Sequence, residues 1–222
     1  MYIKVEDDGF KLLPTSNILE PIRFKVEAIK RDNTLFETIK IEDGDIINLE
    51  YHQQRVDFAF KNLYRSIDSI KLHDILDKRP KNGLYRAKVV YGKNGLIDCS
   101  FYIYNRKVIK TIGLIEVPEL IYNYKYSNRE MFKKLKDKFY EFDELLVTKN
   151  GFLTDTTIAN IALLNEGNYW HTPKNALLNG TVRQRYIDLN RLIEKMIHFH
   201  DLKNYSKIAT LNAMVDFNIL KG

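Results

Sequence analysis

At 222 residues the chain is long enough to bury a sizeable core, as one large domain or two small ones. With 45% hydrophobic and 29% charged residues it has the composition of an ordinary globular protein, and no apolar run nears the ~18 residues of a membrane span. The net charge of +6 suits nucleic acid, an anionic cofactor or a carboxylate-rich substrate, but drift in a Lys-, Ile- and Asn-rich chain accounts for it most simply.

The single cysteine, Cys99, excludes an internal disulfide framework and suits a reducing compartment. The five histidines show no metal-ligand spacing, so no metal site is expected. Met1 to Asp8 lacks the apolar core of a signal peptide, which leaves a cytoplasmic chain as the expectation.

In chain order, residues 1–33 are hard to place, although Ile22 to Ile29 alternates like a half-buried strand. Leu35 to Ile41 also reads as a strand, which Asp43-Gly44 turns into Ile46 to Leu49. From Glu50 to Tyr64 the apolar residues Val56, Phe60 and Leu63 recur at helical spacing, with His52 and Arg55 on one face. A second helix is predicted over Ile67 to Leu76. Leu84 to Tyr91 and Leu96 to Tyr104 form a strand pair, and Ile109 to Val117 a further strand that Pro118 ends.

Pro118 to Asn123 is a candidate linker, dividing the chain into an N-terminal lobe (1–117, with 1–33 an unplaced extension) and a C-terminal lobe (118–222). A helix is predicted from about Asn128 to Tyr140. Its Met131, Leu135 and Phe139 make a core stripe, and the basic run Lys133 to Lys138 a solvated face. Leu145 to Leu164 reads as strand, Asn150-Gly151 hairpin turn, strand. Within that apolar run Asp155 and Asn160 stand out, because a carboxylate and an amide there need partners or a task. Leu177 to Arg183 leads into a helix, an arrangement suited to anions, and Ile187 to Ile197 continues helically. Lys207 to Leu211 and Met214 to Ile219 close as strands around Asn212-Ala213.

Four motifs, in order, carry a resemblance: Tyr51-His52-Gln53-Gln54-Arg55, Lys125-Tyr126-Ser127-Asn128-Arg129, Thr154-Asp155-Thr156-Thr157-Ile158-Ala159-Asn160-Ile161, and Thr172-Pro173 followed by Leu177 to Arg183. Leu211-Asn212-Ala213-Met214 adds a weaker fifth. Together they resemble the class IV aminotransferases, pyridoxal-phosphate enzymes of fold type IV, from about residue 34 to the C-terminus. The resemblance implies an α/β (α+β) fold of two lobes with pyridoxal 5'-phosphate between them, a small-molecule amino substrate and a homodimer.

It also implies roles. Lys125 would be the Schiff-base lysine; alone it would read as a solvated residue, and the motif order reverses that. Asp155 would sit at the pyridine nitrogen, where most of the family carries the longer Glu. Alone it reads as a strand-end Asp capping backbone donors. Arg55 would grip the phosphate with its two-pronged guanidinium, aided by backbone N–H groups at Thr181-Val182 and Asn212-Ala213. Val182 stands where the family usually has Thr. Asn160 would be mainly structural, and His52 would support the Arg55 helix by packing.

The Leu35-Phe36-Glu37-Thr38 run resembles 4-amino-4-deoxychorismate lyases, in which a threonine near the cofactor assists. This makes Thr38 a candidate catalytic residue and Arg86 a candidate for a substrate carboxylate, with an exterior strand position open for Arg86. The lyase reading implies release of p-aminobenzoate and pyruvate, a step in folate biosynthesis. Alternatives are a branched-chain or D-amino-acid aminotransferase, and a non-catalytic basic domain that binds nucleic acid in a salt-sensitive way.

Overall fold

The computed structural model describes residues 1–15, 19–25 and 33–222. The backbone gathers into two compact units: Met1–Ile29 with Lys107–Asn123 and Arg129–Gly222, and Lys30–Arg106 with Tyr124–Asn128. The expected division at 117/118 does not coincide with these units, because the strand Thr111–Glu116, on which the N-terminal strand pairs, also pairs with Glu144–Lys149. The predicted linker does end at one crossing, between Asn123 and Tyr124.

The chain starts with a hairpin, β1 (Tyr2–Glu6) and β2 (Gly9–Leu13), followed by the short β3 (Ile22–Arg23). Of the strand predicted over 22–29 only this start is seen, and residues 26–29 lie outside the described ones. The second unit opens with β4 (Leu35–Glu42), which turns through Asp43 (φ 49°) and Gly44 (φ 90°) into β5 (Asp45–Ile46). Two consecutive positive φ values make the turn that suits antiparallel twist, and Asp-Gly tolerates them. Helix α1 (Leu49–Ala59) runs on into a π-helical turn, Phe60–Tyr64.

The helix predicted over 67–76 is only α2 (Leu72–Ile75). Ile67 points to solvent while Leu72 and Leu76 are buried, so only the later part of the stretch packs, and Gln53 starts α2 by accepting the Leu72 N–H at 2.9 Å. Strands β6 (Leu84–Gly92) and β7 (Gly95–Ile103) complete an antiparallel sheet in the order β5-β4-β6-β7.

In the first unit β8 (Thr111–Glu116) and β9 (Glu144–Lys149) pair in parallel, with α3 (Glu130–Lys138) between them in sequence. Their residues are almost continuously buried, as parallel strands covered on both faces require. Asn150 (φ 53°) and Gly151 (φ 78°) turn β9 into β10 (Phe152–Thr156). Buried Glu116 fixes that turn by accepting the Asn150 N–H at 2.6 Å and the Gly151 N–H at 3.2 Å. The sheet order is β10-β9-β8-β1-β2, with β3 also on β8.

The predicted hairpin arm up to Leu164 is not one strand. It breaks at Thr157–Ala159, where the Thr156 N–H donates to the Ala159 carbonyl at 2.8 Å, and β11 (Asn160–Asn165) joins another sheet. That sheet, in the order β13-β12-β11-β14-β15, contains β12 (Trp170–Pro173), β13 (Ile193–Lys195), β14 (Tyr205–Asn212) and β15 (Asp216–Ile219). Helix α4 (Thr181–Asp188) is shorter than predicted. Asn190 (φ 54°) ends the helical path, and residues 193–195 pair with β12 instead of continuing a helix to Ile197.

The main core of this unit lies between its sheets: Ile3, Val5, Ile112 and Leu114 from one, Ile161, Leu163 and Ile208 from the other. On another side of β11 and β14, Ala162, Ala209 and Leu211 receive Val182 of α4. That packing seats the helix start and explains an apolar residue at position 182.

Candidate active site

In the second unit, β4 sorts its side chains by parity. Glu37, Ile39 and Ile41 are fully buried, while Phe36, Thr38 and Lys40 take the other face. Register with β6 places Lys88 opposite Thr38 and Arg86 opposite Lys40, hence on that same face. Residues 125–127 lie along the edge of β4: the Phe36 N–H donates to the Lys125 carbonyl at 2.9 Å and the Ser127 N–H to the Thr34 carbonyl at 2.8 Å. The Lys125 ammonium stands 4.7 Å from the centre of the Phe36 ring, and that of Lys88 5.8 Å from it. The second unit thus brings Lys125, Thr38 and Lys88 onto one face. Arg86 is on this face too, exposed, with its guanidinium 5.2 Å from the Tyr102 ring.

On the opposite face Glu37 meets α1. Arg55 donates to it through Nε (2.9 Å) and Nη2 (2.5 Å), and His52 Nδ1 lies 2.6 Å away. Burial alone would raise the Glu37 pKa, but the Arg55 charge and the His52 hydrogen bond prevail and hold it at about 2. Burial, helped by the positive charges of Arg55 and Lys125, lowers the His52 pKa against the pull of Glu37. His52 is therefore neutral, with its proton on Nδ1 facing an ionised carboxylate. Its Nε2 is buried without a hydrogen-bond partner.

In the first unit, Asp155 sits where β10 slips by one residue against β9, between Leu153 and Thr156. Such a bulge re-aims a side chain. Asp155 ends one sheet and Asn160 begins the next, so the break in the strand brings them together: Asn160 Nδ2 donates to Asp155 Oδ1 at 2.7 Å. The Leu178 N–H donates to Asp155 Oδ2 at 2.9 Å, and Asn160 also donates to the Leu178 carbonyl at 2.9 Å. Burial raises the Asp155 pKa to about 6, against these hydrogen bonds and the Arg183 charge. A buried carboxylate held that high gains from a cationic partner.

The same Asn160 presses on the entry to α4. A Cβ on Gly180 would lie 1.9 Å from Asn160 Oδ1, so only glycine fits there. No side chain caps α4, which leaves the first-turn N–H groups at Thr181 and Val182 for an anion. Asn212 Oδ1 accepts the N–H groups of Met214 (2.9 Å) and Val215 (3.1 Å) and so shapes the turn that carries Ala213. A carboxylate suited to a protonated ring nitrogen, hydrogen-bonded to the segment that enters an uncapped helix, fits a pyridine bearing a phosphate.

Arg55 is bound to Glu37, a partner the motif reading did not include. Glu37 and Lys88 were missed altogether, although the parity of β4 and its register with β6 would have singled out both. Among the described residues no cluster of three or more His, Cys, Asp or Glu could hold a metal, and no helix is long and apolar enough to cross a membrane.

A model of the amino-transferase class IV family matches residues 122–218. An uncharacterized protein of Haemophilus influenzae is 30% identical over 185 residues, covering 81% of this chain and 97% of that protein. A crystal structure from Haemophilus somnus 129pt, provisionally assigned as a 4-amino-4-deoxychorismate lyase, is 30% identical over 83% of this chain and 98% of its own, with a TM-score of 0.76. An aminotransferase from Brucella abortus bound to the cofactor PLP shares 18% identity over 85% of this chain and 80% of its own, with a TM-score of 0.61, a likeness of fold alone. With the family's motifs in order and relatives matched over almost their whole length, the chain belongs to the class IV amino-transferases, a family of pyridoxal-phosphate-dependent aminotransferases and lyases of fold type IV.

Proposed function

We propose that this chain is a 4-amino-4-deoxychorismate lyase, releasing p-aminobenzoate and pyruvate with pyridoxal 5'-phosphate as cofactor. The observation that carries the reading is the shared face of Thr38 and Lys125, the two residues a lyase would need on the substrate side. The name given to the Haemophilus somnus structure agrees with it.

Bound here, the cofactor supplies an electron sink for the amine-bearing carbon of the substrate. Lys125 binds it covalently and, once released, moves a proton at its Nζ. Asp155 holds the ring nitrogen, Arg55 and the N–H groups of Thr181, Val182 and Ala213 hold the phosphate, and Asn160 and Asn212 shape those supports. Arg86 and Lys88, on the face of Thr38, offer cations to substrate carboxylates. The proposed enzyme is a cytoplasmic homodimer.

Borohydride reduction of the yellow protein should fix the cofactor on Lys125 and bleach the colour, and Lys125→Met should leave no label. Incubation with aminodeoxychorismate alone should release p-aminobenzoate. Strict dependence on a keto acid such as 2-oxoglutarate would sink the lyase and favour a branched-chain or D-amino-acid aminotransferase. Colourless protein with salt-sensitive nucleic-acid binding would sink both.

A further inference from the structure

We infer that Glu37 is a positioning residue for Arg55, fixing the guanidinium in the orientation from which it meets the cofactor's phosphate. This rests on the proposed role of Arg55 as a phosphate ligand. The geometry is that of a built support. Glu37 is fully buried, and both its oxygens are engaged, Oε1 by Arg55 Nε at 2.9 Å and Oε2 by Arg55 Nη2 at 2.5 Å. Two parallel hydrogen bonds remove the rotations that an arginine otherwise keeps about its last side-chain bonds. His52, three residues earlier on the same helix, reaches Glu37 Oε2 at 2.6 Å and holds the carboxylate in turn.

The charge pattern supports orientation over simple attraction. Glu37 is ionised and His52 neutral, so the cluster of three carries no net charge. As an electrostatic trap it would be weaker than a lone arginine. As a support it lets a guanidinium stay at the edge of the core before any anion arrives, with its direction already set. Parity gives the same result: Glu37 lies on the face of β4 away from Thr38, so it supports the site from behind and does not touch the reacting atoms.

The test compares binding of pyridoxal phosphate with binding of pyridoxal, which lacks the phosphate, by absorbance titration of cofactor-free protein. Glu37→Gln keeps the shape but loses the charge-assisted bonds. It should weaken pyridoxal phosphate binding by about tenfold or more while leaving pyridoxal within about twofold. Arg55→Lys should do the same, and the double variant should lose little beyond either single one. Glu37→Asp, which keeps the charge on a shorter arm, should show an intermediate loss confined to the phosphorylated ligand and serves if the Gln variant does not fold.

Equal weakening of both ligands would make Glu37 merely structural and overturn the inference. Tighter pyridoxal phosphate binding in Glu37→Gln would overturn it too, since charge alone would then govern the grip. If the wild-type protein binds pyridoxal phosphate but Arg55→Lys leaves the preference for it intact, the role of Arg55 fails first and this inference falls with it.

Discussion

Asp155 shows how a single residue can be costly for the folded chain and still suit the role proposed for it. Its pKa lies at about 6 in the folded protein, against an ordinary value of 3.8. A carboxylate with a raised pKa binds its proton more tightly folded than unfolded, so its contribution to stability improves as pH falls from about 6 to about 4. Keeping it ionised at neutral pH costs about 3 kcal/mol. His52 and His171, both held below 6.5, lose stability over part of that window, and Glu37, held at about 2, loses it lower still. The informative quantity is therefore the difference between wild type and Asp155→Asn, not either curve alone. In cofactor-free protein, urea unfolding should find the Asn variant relatively most stable at pH 7, with an advantage that shrinks by about 2 kcal/mol by pH 4. A difference that stays constant with pH would show that the carboxylate is not strained by burial.

At the scale of elements, the join between β11 and α4 decides whether the Asp155 support and the helix start stay together. Gly180 has an ordinary φ of −74°, so the case for glycine is contact and not conformation. Gly180→Ala drives a methyl into the Asn160 amide, which Asp155 and the Leu178 carbonyl already hold. Thermal or urea unfolding should register a loss of about 1–3 kcal/mol. Adding Asn160→Ala should recover part of it, giving a double variant less damaged than the two single ones summed. Strict additivity would place the cost elsewhere.

This join also marks where sequence reading reached and where it stopped. Asn150-Gly151 and Asp43-Gly44 were legible because few residue pairs accept two positive φ values, and turn geometry is local. Asp155 and Asn160 were legible as polar residues in an apolar run. That they end one sheet and begin another was not, since sheet membership depends on β14, more than forty residues away. Periodicity misled over 67–76, where Ile67 stands in solvent and only Leu72–Ile75 is helical. It misled again over 187–197, where Leu192 and Ile197 are buried but the positive φ of Asn190 turns the chain so that residues 193–195 pair with β12.

For the whole molecule, the decisive non-local event is the return of the N-terminus to the later half of the chain. β1 lies between β2 and β8, pairing Tyr2 with Gly113 and Ile3 with Ile112. Its Ile3 and Val5 enter the same core as Leu146, Ile161 and Ile208. Tyr2–Glu6, part of what reads as an unplaced extension, is therefore an interior strand of the unit that carries Asp155 and α4. Because Ile3 is fully buried, Ile3→Ala should cost about 2–5 kcal/mol, as a core truncation with incomplete collapse does. Native-state hydrogen exchange should locate that loss in β8, β9, β11 and β14. The amides of β4 and β6, in the unit that lacks β1, should keep more of their protection. Equal loss in both sets would mean that the two units unfold as one cooperative body. Protection unchanged in β8 would mean that the N-terminal strand is an ornament of the sheet, not one of its interior members.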